Sequence, residues 1–296
     1  MNGIRFFMTD VFGGEKYSGN QLATFLDGGR LTEREMQRIA REFNFSETTF
    51  VLSDKKESGG YAVRIFTPGK EIDFAGHPTL GTAYIIRRHL IRDHADAVVL
   101  NLRIGRIPVS FSGSDGSGPL WMDQAEPRFG KVFDAASTAE MLRLPADAID
   151  GRFPVQEVST GLPHMIVPLR NLEALQEASP DKERYFAIIR DVPAKCVLIF
   201  CPEGRDGSHG VSVRMFADYL GIAEDPATGS GNGCLAAYLS HHRFFGSDRV
   251  DLRAGQGHEI GRPSLLMLKA HETDSGGTAV SVGGNVIPIS EGTWYL

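Results

Sequence analysis

The stretch VRIFTPGKEIDFAGHPTLGTAYII, residues 63–86, is echoed further along the chain by VRMFADYLGIAEDPATGSGNGCLAAYL, residues 213–239. Both stretches open with Val-Arg-x-Phe, continue through an acidic segment to a glycine turn, and end in a run of small and apolar residues. A weaker echo links SGNQLATFL, residues 18–26, with TGLPHMIVPL, residues 160–169. The repeat predicts two similar α/β halves.

Each repeat is predicted to contain a buried helix. Residues 80–86 and 234–239 have almost no polar face, and a helix that is apolar all round lies in a core. Upstream, strands are expected at 5–12, 22–26, 48–52 and 61–67. A helix is expected at 32–43, where Thr32 and Glu35 have the spacing of a capping box. The predicted fold class is α+β or α/β, with each half wrapping a β-sheet around a central buried helix.

The composition is that of a folded and mildly acidic chain. Of the 296 residues, 42% are hydrophobic and 23% charged, which excludes a disordered chain and fits two domains. Lys and Arg number 31 against 37 Asp and Glu, and the net charge of −6 lacks the basic character of nucleic-acid-binding proteins. We find no membrane-length apolar run and no secretory signal pattern. We therefore expect a cytoplasmic protein with no nucleic-acid or membrane partner.

Cysteine and histidine spacing gives little support for a metal site. Three cysteines are too few for a disulfide framework. Cys196 and Cys201 are an odd number of positions apart in CVLIFC, which puts them on opposite faces of a strand. The histidines include no HExxH motif, and His241 and His242 are adjacent, so they do not face one site on a helix.

Glycines precede both buried helices, in FAGHP (residues 74–78) and ATGSGNG (residues 227–233). A helix N-terminus presents unpaired N–H groups and the positive end of the helix dipole, and glycine lets a ligand approach that backbone closely. Two such ends would hold a small carboxylate and stabilise an enolate-like oxyanion. The alternative interpretation is that the glycines only form tight turns.

Three acid–base candidates lie beside these turns. Asp225 precedes the second glycine turn, His77 lies in the first, and Glu47 begins an apolar strand in NFSETTF. Each has a plain structural alternative: a capping or turn aspartate, a structural histidine, and an exposed glutamate at a strand start. Together they supply two carboxylates and an imidazole around an anion site.

Six segments follow one another in the order of a known family: GNQLATFL, NFSETTFV, FTPGKEIDFAGHPTLGTAYII, EDPATGSGNGCLAAYL, GQGHEIGRPS and VGGNVIPISEGTWYL. On these segments the chain resembles the PhzF-like proteins of phenazine biosynthesis, within the diaminopimelate-epimerase-like fold superfamily. FAGHPTLGTA and EDPATGS are specific in combination, and the resemblance spans nearly the whole chain.

The resemblance implies two diaminopimelate-epimerase-like domains, each with a curved mixed β-sheet around its central helix, and a site between them. The N-terminal domain would comprise residues 1–118 plus 286–296, with the C-terminal strand returning to it, and the C-terminal domain residues 119–285. From composition, the expected linker is the Gly-, Ser- and Asp-rich run at residues 112–119, or the polar stretch just after it. The resemblance also implies a homodimer and neither a metal nor an organic cofactor.

Characterised members of that family isomerise a dihydro-hydroxyanthranilate by moving a proton between ring carbons. The resemblance therefore implies a cofactor-independent isomerase or epimerase acting on a small carboxylic acid. The family's catalytic glutamate corresponds to Glu47, and its site histidine and aspartate correspond to His77 and Asp225. The family's substrate-holding positions correspond to Gly76, Gly229 and Ser230.

Other functions receive less support from the sequence. A non-catalytic metabolite-binding protein on the same scaffold is the main alternative, although the acid–base residues are all present. A dinucleotide enzyme would need GxGxxG and a serine hydrolase GxSxG, and Gly229-Ser230-Gly231 meets neither spacing. Racemases of the superfamily use two cysteines at the glycine turns. Here Cys234 lies about one helical turn past Ser230 and has no thiol counterpart in the first half.

Overall fold

The computed structural model describes residues 3–91, 95–113 and 118–296. Residues 114–117 of the expected linker lie outside the described residues. The contacts of the chain separate two compact units: unit 1 is Met1–Asp123 with Gly283–Leu296, and unit 2 is Gln124–Val282.

The described residues form six α-helices and seventeen strands. The helices are α1 (Glu33–Phe43), α2 (Gly76–His89), α3 (Ala135–Met141), α4 (Leu172–Glu177), α5 (Lys182–Ile189) and α6 (Gly229–His241). None of these helices combines the length and apolar character that crossing a membrane requires. The strands are β1 (Gly3–Val11), β2 (Asn20–Phe25), β3 (Glu47–Val51), β4 (Tyr61–Phe66), β5 (Glu71–Ile72), β6 (Ala97–Leu102), β7 (Gly105–Phe111), β8 (Leu120–Asp123), β9 (Arg128–Phe133), β10 (Val155–Ser159), β11 (Pro163–Pro168), β12 (Cys196–Cys201), β13 (Val211–Phe216), β14 (Val250–Gln256), β15 (Ser264–Glu272), β16 (Thr278–Gly284) and β17 (Val286–Tyr295).

The two units repeat one sheet topology. In unit 1 the strands pair in the order β17-β1-β2-β3-β4-β6-β7. In unit 2 they pair in the order β9-β10-β11-β12-β13-β14-β15. Along both orders the successive pairings are antiparallel, antiparallel, parallel, antiparallel, parallel and antiparallel. The predicted fold class, two similar halves with mixed sheets, is confirmed.

The sheet of unit 1 surrounds α2, as predicted from its apolar sequence. This helix contacts β1, β2, β3, β6, β7, β8 and β17, and only its last turn and Tyr84 reach solvent. Gly81 makes the close packing possible, because a Cβ there would lie 2.5 Å from the Leu22 side chain and 2.9 Å from that of Val11. Overlaps of this size are destabilising in a packed core.

The other face of this sheet is covered by α1. The predicted capping box is present: the Glu35 N–H donates to the Thr32 hydroxyl oxygen over 3.3 Å, and the Thr32 N–H donates to the Glu35 carboxylate over 2.8 Å. Such a cap satisfies amides that the helix itself leaves unpaired. The apolar stripe of α1, formed by Met36, Ile39 and Ala40, is part of the hydrophobic core on this face of the sheet.

In unit 2, α6 takes the central place and contacts β10, β11, β14 and β15. All of its residues except the last are buried. Helices α3, α4 and α5 cover the other face of the sheet, around Tyr185. Cys201 belongs to that outer core, whereas Phe200 packs on Tyr238 of α6 with ring centroids 5.9 Å apart. Side chains alternate along a strand, so Cys196 shares the α6 side with Phe200, and the prediction of opposite faces for the two cysteines is confirmed.

Candidate active site

In unit 1, strand β3 and helix α2 bring Glu47 and His77 together. Glu47 is the first residue of β3 and lies beside Leu22 of β2 in parallel register. Two positions on, the Thr49 hydroxyl accepts a 2.8 Å hydrogen bond from Thr82 of α2. Alternation along the strand therefore directs Glu47 to the same side as Thr49, toward the beginning of α2.

The Glu47 carboxylate and the His77 imidazole lie 3.3 Å apart, from Oε2 to Nε2. Their side chains are only 12% and 5% exposed. Burial lowers the pKa of His77 to about 3, although a hydrogen bond to the backbone of Gln21 opposes that shift. A buried imidazole resists charging because its charged form loses hydration. At neutral pH, His77 is therefore a neutral imidazole lying beside the Glu47 carboxylate.

Both central helices begin without a side-chain cap, and this separates them from the other α-helices. The N-cap residues Ala75 of α2 and Thr228 of α6 make no side-chain cap hydrogen bond, and neither first turn contains an acidic residue. First-turn amides and the positive dipole end favour an anion at such a terminus. Among the described residues, the remaining α-helices are all capped by side chains, those of Thr32, Asp134, Asn171 and Asp181.

In unit 2, Asp225 lies in the loop that leads into α6. Its backbone N–H donates to the Met215 carbonyl over 3.0 Å, and its carboxylate accepts a 2.5 Å hydrogen bond from the Thr228 hydroxyl. Asp225 is 5% exposed. Gly229 and Ser230 are the first two residues of α6, and both are buried. We call this beginning of α6, with Asp225, Thr228, Gly229 and Ser230, the second glycine corner, and the beginning of α2 at Gly76 and His77 the first. The second corner combines a carboxylate, a hydroxyl and a helix N-terminus.

The structure brings the predicted site residues together in two sets. Glu47, Gly76 and His77 form one set in unit 1. The second set belongs to unit 2 and consists of Asp225, Gly229 and Ser230.

Thr228 and Gln256 were not singled out by the sequence analysis, yet both are buried and hydrogen-bonded at the second corner. The available signal was weak: each is a polar residue inside a motif already noted, EDPATGS or GQGHEIGRPS.

The thiols in unit 2 are poor acid–base groups. Burial raises the pKa of Cys196 to about 12 and that of Cys234 to about 11. The thiolate is the reactive form of cysteine, so both are unreactive at neutral pH. The Cys234 sulfur instead lies 3.6 Å from the Thr160 hydroxyl and 3.5 Å from the Leu162 carbonyl oxygen.

Two further features of the structure bear on ligand binding. Within the described ranges, no group of three or more His, Cys, Asp or Glu residues is arranged to hold a metal ion. A cavity of about 350 Å³ in unit 2 contains none of the predicted site residues. It is lined by Ala125, Glu126, Pro127, Arg128, Ser159 and Gly161.

The family model described as PhzC-PhzF, phenazine biosynthesis-like protein, matches residues 9–292. The chain belongs to this family. Trans-2,3-dihydro-3-hydroxyanthranilate isomerase of Pseudomonas aeruginosa is 36% identical over 293 residues, which cover 99% of each chain. The enzyme of the same name from Pseudomonas fluorescens is 37% identical over 295 residues, covering 98% of this chain and 99% of the relative. These relationships make the chain a PhzF-family isomerase, and the prediction of an enzyme is confirmed.

Solved structures agree with the family assignment. A phenazine biosynthesis protein of the PhzF family from Bacillus anthracis matches with a TM-score of 0.90 and 29% identity, covering 100% of both chains. A probable proline racemase from Agrobacterium radiobacter K84 matches with a TM-score of 0.63, covering 99% of this chain and 93% of the racemase. At 11% identity, that second likeness concerns the fold alone.

Proposed function

We propose that this isomerase moves a proton on a small carboxylic acid in the cytoplasm, by general acid–base catalysis without a cofactor. The observation that carries the proposal is the Glu47–His77 pair. A carboxylate and a neutral imidazole lie 3.3 Å apart, nearly buried, where an uncapped buried helix begins. A positioned carboxylate with restricted access to water suits proton abstraction and return.

In the proposed reaction, Glu47 acts first as base and then as acid. Its carboxylate takes a proton from a carbon next to an electron-withdrawing group, so a C–H bond breaks and an O–H bond forms. The electron pair left on carbon delocalises into the substrate and creates an enolate-like charge. Glu47 then returns the proton to another carbon, and the neutral His77 supports it by hydrogen bonding.

The substrate carboxylate is assigned to the glycine corners. First-turn amides at Gly76 and Gly229, with the Ser230 hydroxyl, would donate to the carboxylate and to the developing enolate oxygen. Asp225 would accept hydrogen bonds from substituents of the substrate. In this proposal, both glycine corners bind one substrate molecule in a cleft between the domains. We also propose that the protein is a homodimer, so sedimentation should give twice the 32.3 kDa chain mass.

The first substrate to test is trans-2,3-dihydro-3-hydroxyanthranilate, named in the relatives that are 36% and 37% identical. In heavy water, wild-type protein should isomerise it and incorporate a carbon-bound deuteron. Glu47→Gln should slow this incorporation by at least about 10²-fold, because general acid–base catalysis typically contributes about 10²–10⁴-fold. Mass spectrometry of the product measures both rates.

The matched control is Glu42→Gln, which makes the same chemical change at an exposed position of α1. It should keep the wild-type rate, and both variants should unfold at the wild-type temperature. Normal deuterium incorporation by Glu47→Gln would remove this residue from the role. Binding of this substrate by the wild type without any exchange would contradict the proposed reaction.

A further inference from the structure

Gln256, the last residue of β14, is fully buried and uses its whole side-chain amide. Its Nε2 donates to the Asp225 carbonyl over 2.8 Å and to the Thr228 hydroxyl over 3.0 Å. Its Oε1 accepts from the Thr228 N–H over 3.2 Å and from the Asn232 side chain over 2.8 Å. A glutamine amide has two donor hydrogens and two acceptor lone pairs, so its hydrogen-bonding capacity is filled.

These bonds fix the direction in which the Thr228 hydroxyl points. The Gln256 nitrogen can only donate, so the Thr228 oxygen is the acceptor of that bond. The single hydroxyl proton of Thr228 is then directed to the Asp225 carboxylate, 2.5 Å away. The result is a one-way chain from Gln256 through Thr228 to Asp225. A hydrogen bond donated to a carboxylate is among the stronger ones in proteins, and chains of such bonds reinforce one another.

The same amide joins the loop, the cap and the first turn of α6. Thr228 is the N-cap, and Asn232 also donates to the Thr228 carbonyl over 3.0 Å. Gly257 lets the end of β14 come this close: its φ is +77°, and a Cβ there would lie 2.5 Å from the Pro226 carbonyl oxygen. Gln256 therefore holds both Asp225 and the beginning of α6 in one arrangement.

The scaffold itself does not require a polar residue at this position. Tyr61 and Val211 occupy the same place in the two sequence repeats, and in the parallel register they pair with Leu100 and Ala254. Two residues further on, the counterpart of Gln256 in unit 1 is Leu102, which is also buried. Unit 1 thus has a buried apolar side chain at the position that corresponds to Gln256. The glutamine is found only in the repeat that carries Asp225.

We propose that Gln256 is a positioning residue for the isomerase reaction. Through Thr228 it holds the Asp225 carboxylate in the one orientation that meets the substrate. This inference rests on the proposed function, in which Asp225 contacts the substrate. Gln256 itself does not contact the substrate in this proposal and acts through its hydrogen bonds to Thr228 and Asp225.

The test compares Thr228→Val, Gln256→Met and the double variant, with trans-2,3-dihydro-3-hydroxyanthranilate as substrate. Thr228→Val removes the hydroxyl and keeps the shape of the side chain. We expect each single variant to lower kcat by about ten- to hundredfold, the range for losing a hydrogen bond to a charged group, with a smaller change in KM. The double variant should lose no more than the worse single variant, because both break one chain. Thr228→Ser keeps the hydroxyl and should retain wild-type kcat.

The matched control is Leu102→Met, which makes a comparable core change at the corresponding place in unit 1. It should leave kcat unchanged. If Gln256→Met does not fold, Thr228→Val and Thr228→Ser decide the question. Wild-type kcat in Thr228→Val, with only the unfolding temperature lowered, would overturn the inference.

The proposed function fails separately, if Glu47→Gln still incorporates deuterium at the normal rate. Wild-type protein that neither turns over nor exchanges this substrate would remove the proposed function and this inference together.

Discussion

The corresponding strands β4 and β13 each carry an arginine that forms an ion pair with a glutamate of the same unit. The Arg64 guanidinium binds Glu71 with distances of 2.7 and 2.6 Å, and Arg214 binds Glu224 with distances of 3.0 and 2.8 Å. Each guanidinium also lies over the phenylalanine two residues on in the sequence, at 5.1 and 4.9 Å from the ring centroid. The Val-Arg-x-Phe repeat therefore reflects a requirement of the scaffold.

The neighbouring strands β3 and β12 differ at the position that matters for chemistry. The phenylalanines of the Val-Arg-x-Phe repeat align these strands: Thr48 pairs with Phe66, and Val197 pairs with Phe216. One residue earlier in each strand, unit 1 has Glu47 and unit 2 has Cys196. The duplicated scaffold is preserved, while the ionisable carboxyl at this strand position is present in one unit only. This asymmetry fits a reaction in which one group both takes and returns the proton.

The largest expected effect concerns the ion pairs. Arg214→Met should destabilise the protein by about 3–5 kcal/mol, because it leaves Glu224, whose side chain is 10% exposed, without its partner. Arg214 also donates to the carbonyls of Leu175, Gln176 and Ala178 at the end of α4. Arg64→Met should cost less, since Arg103 lies 3.0 Å from Glu71 and remains a partner. Urea unfolding measures both, and equal losses would contradict this ranking.

Next in size are the two glycine corners. His77→Ala and Ser230→Ala should each lower kcat/KM by about ten- to hundredfold, because each removes a polar group expected to bind the substrate or support Glu47. Steady-state kinetics with trans-2,3-dihydro-3-hydroxyanthranilate measures the effect. The control Ser290→Ala, at an exposed position of β17, should be silent. Wild-type kinetics in both corner variants would refute the assignment of the corners.

A smaller effect should appear in the pH dependence of stability. Burial lowers the pKa of His77 to about 3 and that of the buried His164 in unit 2 to about 4. Above about pH 6.5, both are neutral in the folded and unfolded chains. Below it, the unfolded chain binds protons that the folded protein excludes, so stability falls as the pH drops toward the folded pKa values.

For each histidine, the slope should approach about 1 kcal/mol per pH unit. Urea unfolding between pH 6.5 and 5 measures it, and His164→Met should show a shallower decline than the wild type. Parallel curves for the two proteins would show that His164 is not the origin of the dependence.

The smallest effect is expected at the thiol that replaces the carboxylate in unit 2. Cys196→Ala should change kcat by less than about twofold, since burial raises the thiol pKa to about 12. Cys201→Ala on the outer face is the matched control, and both variants should lose about 1 kcal/mol of stability to the small cavity. A large loss of activity confined to Cys196→Ala would end the contrast with Glu47.

Local signals explain which parts of the fold could be predicted. The capping box at Thr32 and Glu35 and the apolar runs behind the glycines depend on residues close in sequence, so α1, α2 and α6 were foreseen. The expected strand at 5–12 is β1, Gly3–Val11. Assignment of Glu47, His77 and Asp225 needed the family resemblance, since each residue alone has a plain structural explanation. The roles of these residues remain predictions.

The hydrogen-bond network at the second corner could not be predicted. Gln256 lies 28 residues from Thr228 and 31 from Asp225, and its contacts depend on the parallel register of β13 and β14. That register pairs Val213 with Gln256, and no local pattern in either strand specifies it. A glutamine between two glycines is typical of a turn in sequence, and only the packed sheet shows its partners.

The glycine-rich beginning of α6 has a consequence for how the protein assembles. Its first five residues are Gly-Ser-Gly-Asn-Gly, all poor helix formers. A short helix that starts this way has an unfavourable nucleus in water and gains its stability from tertiary packing. The amide-lined second corner therefore comes into existence only when the surrounding strands close on α6. A nascent or partly denatured chain would lack it, so the ligand binding proposed for this corner requires completed folding.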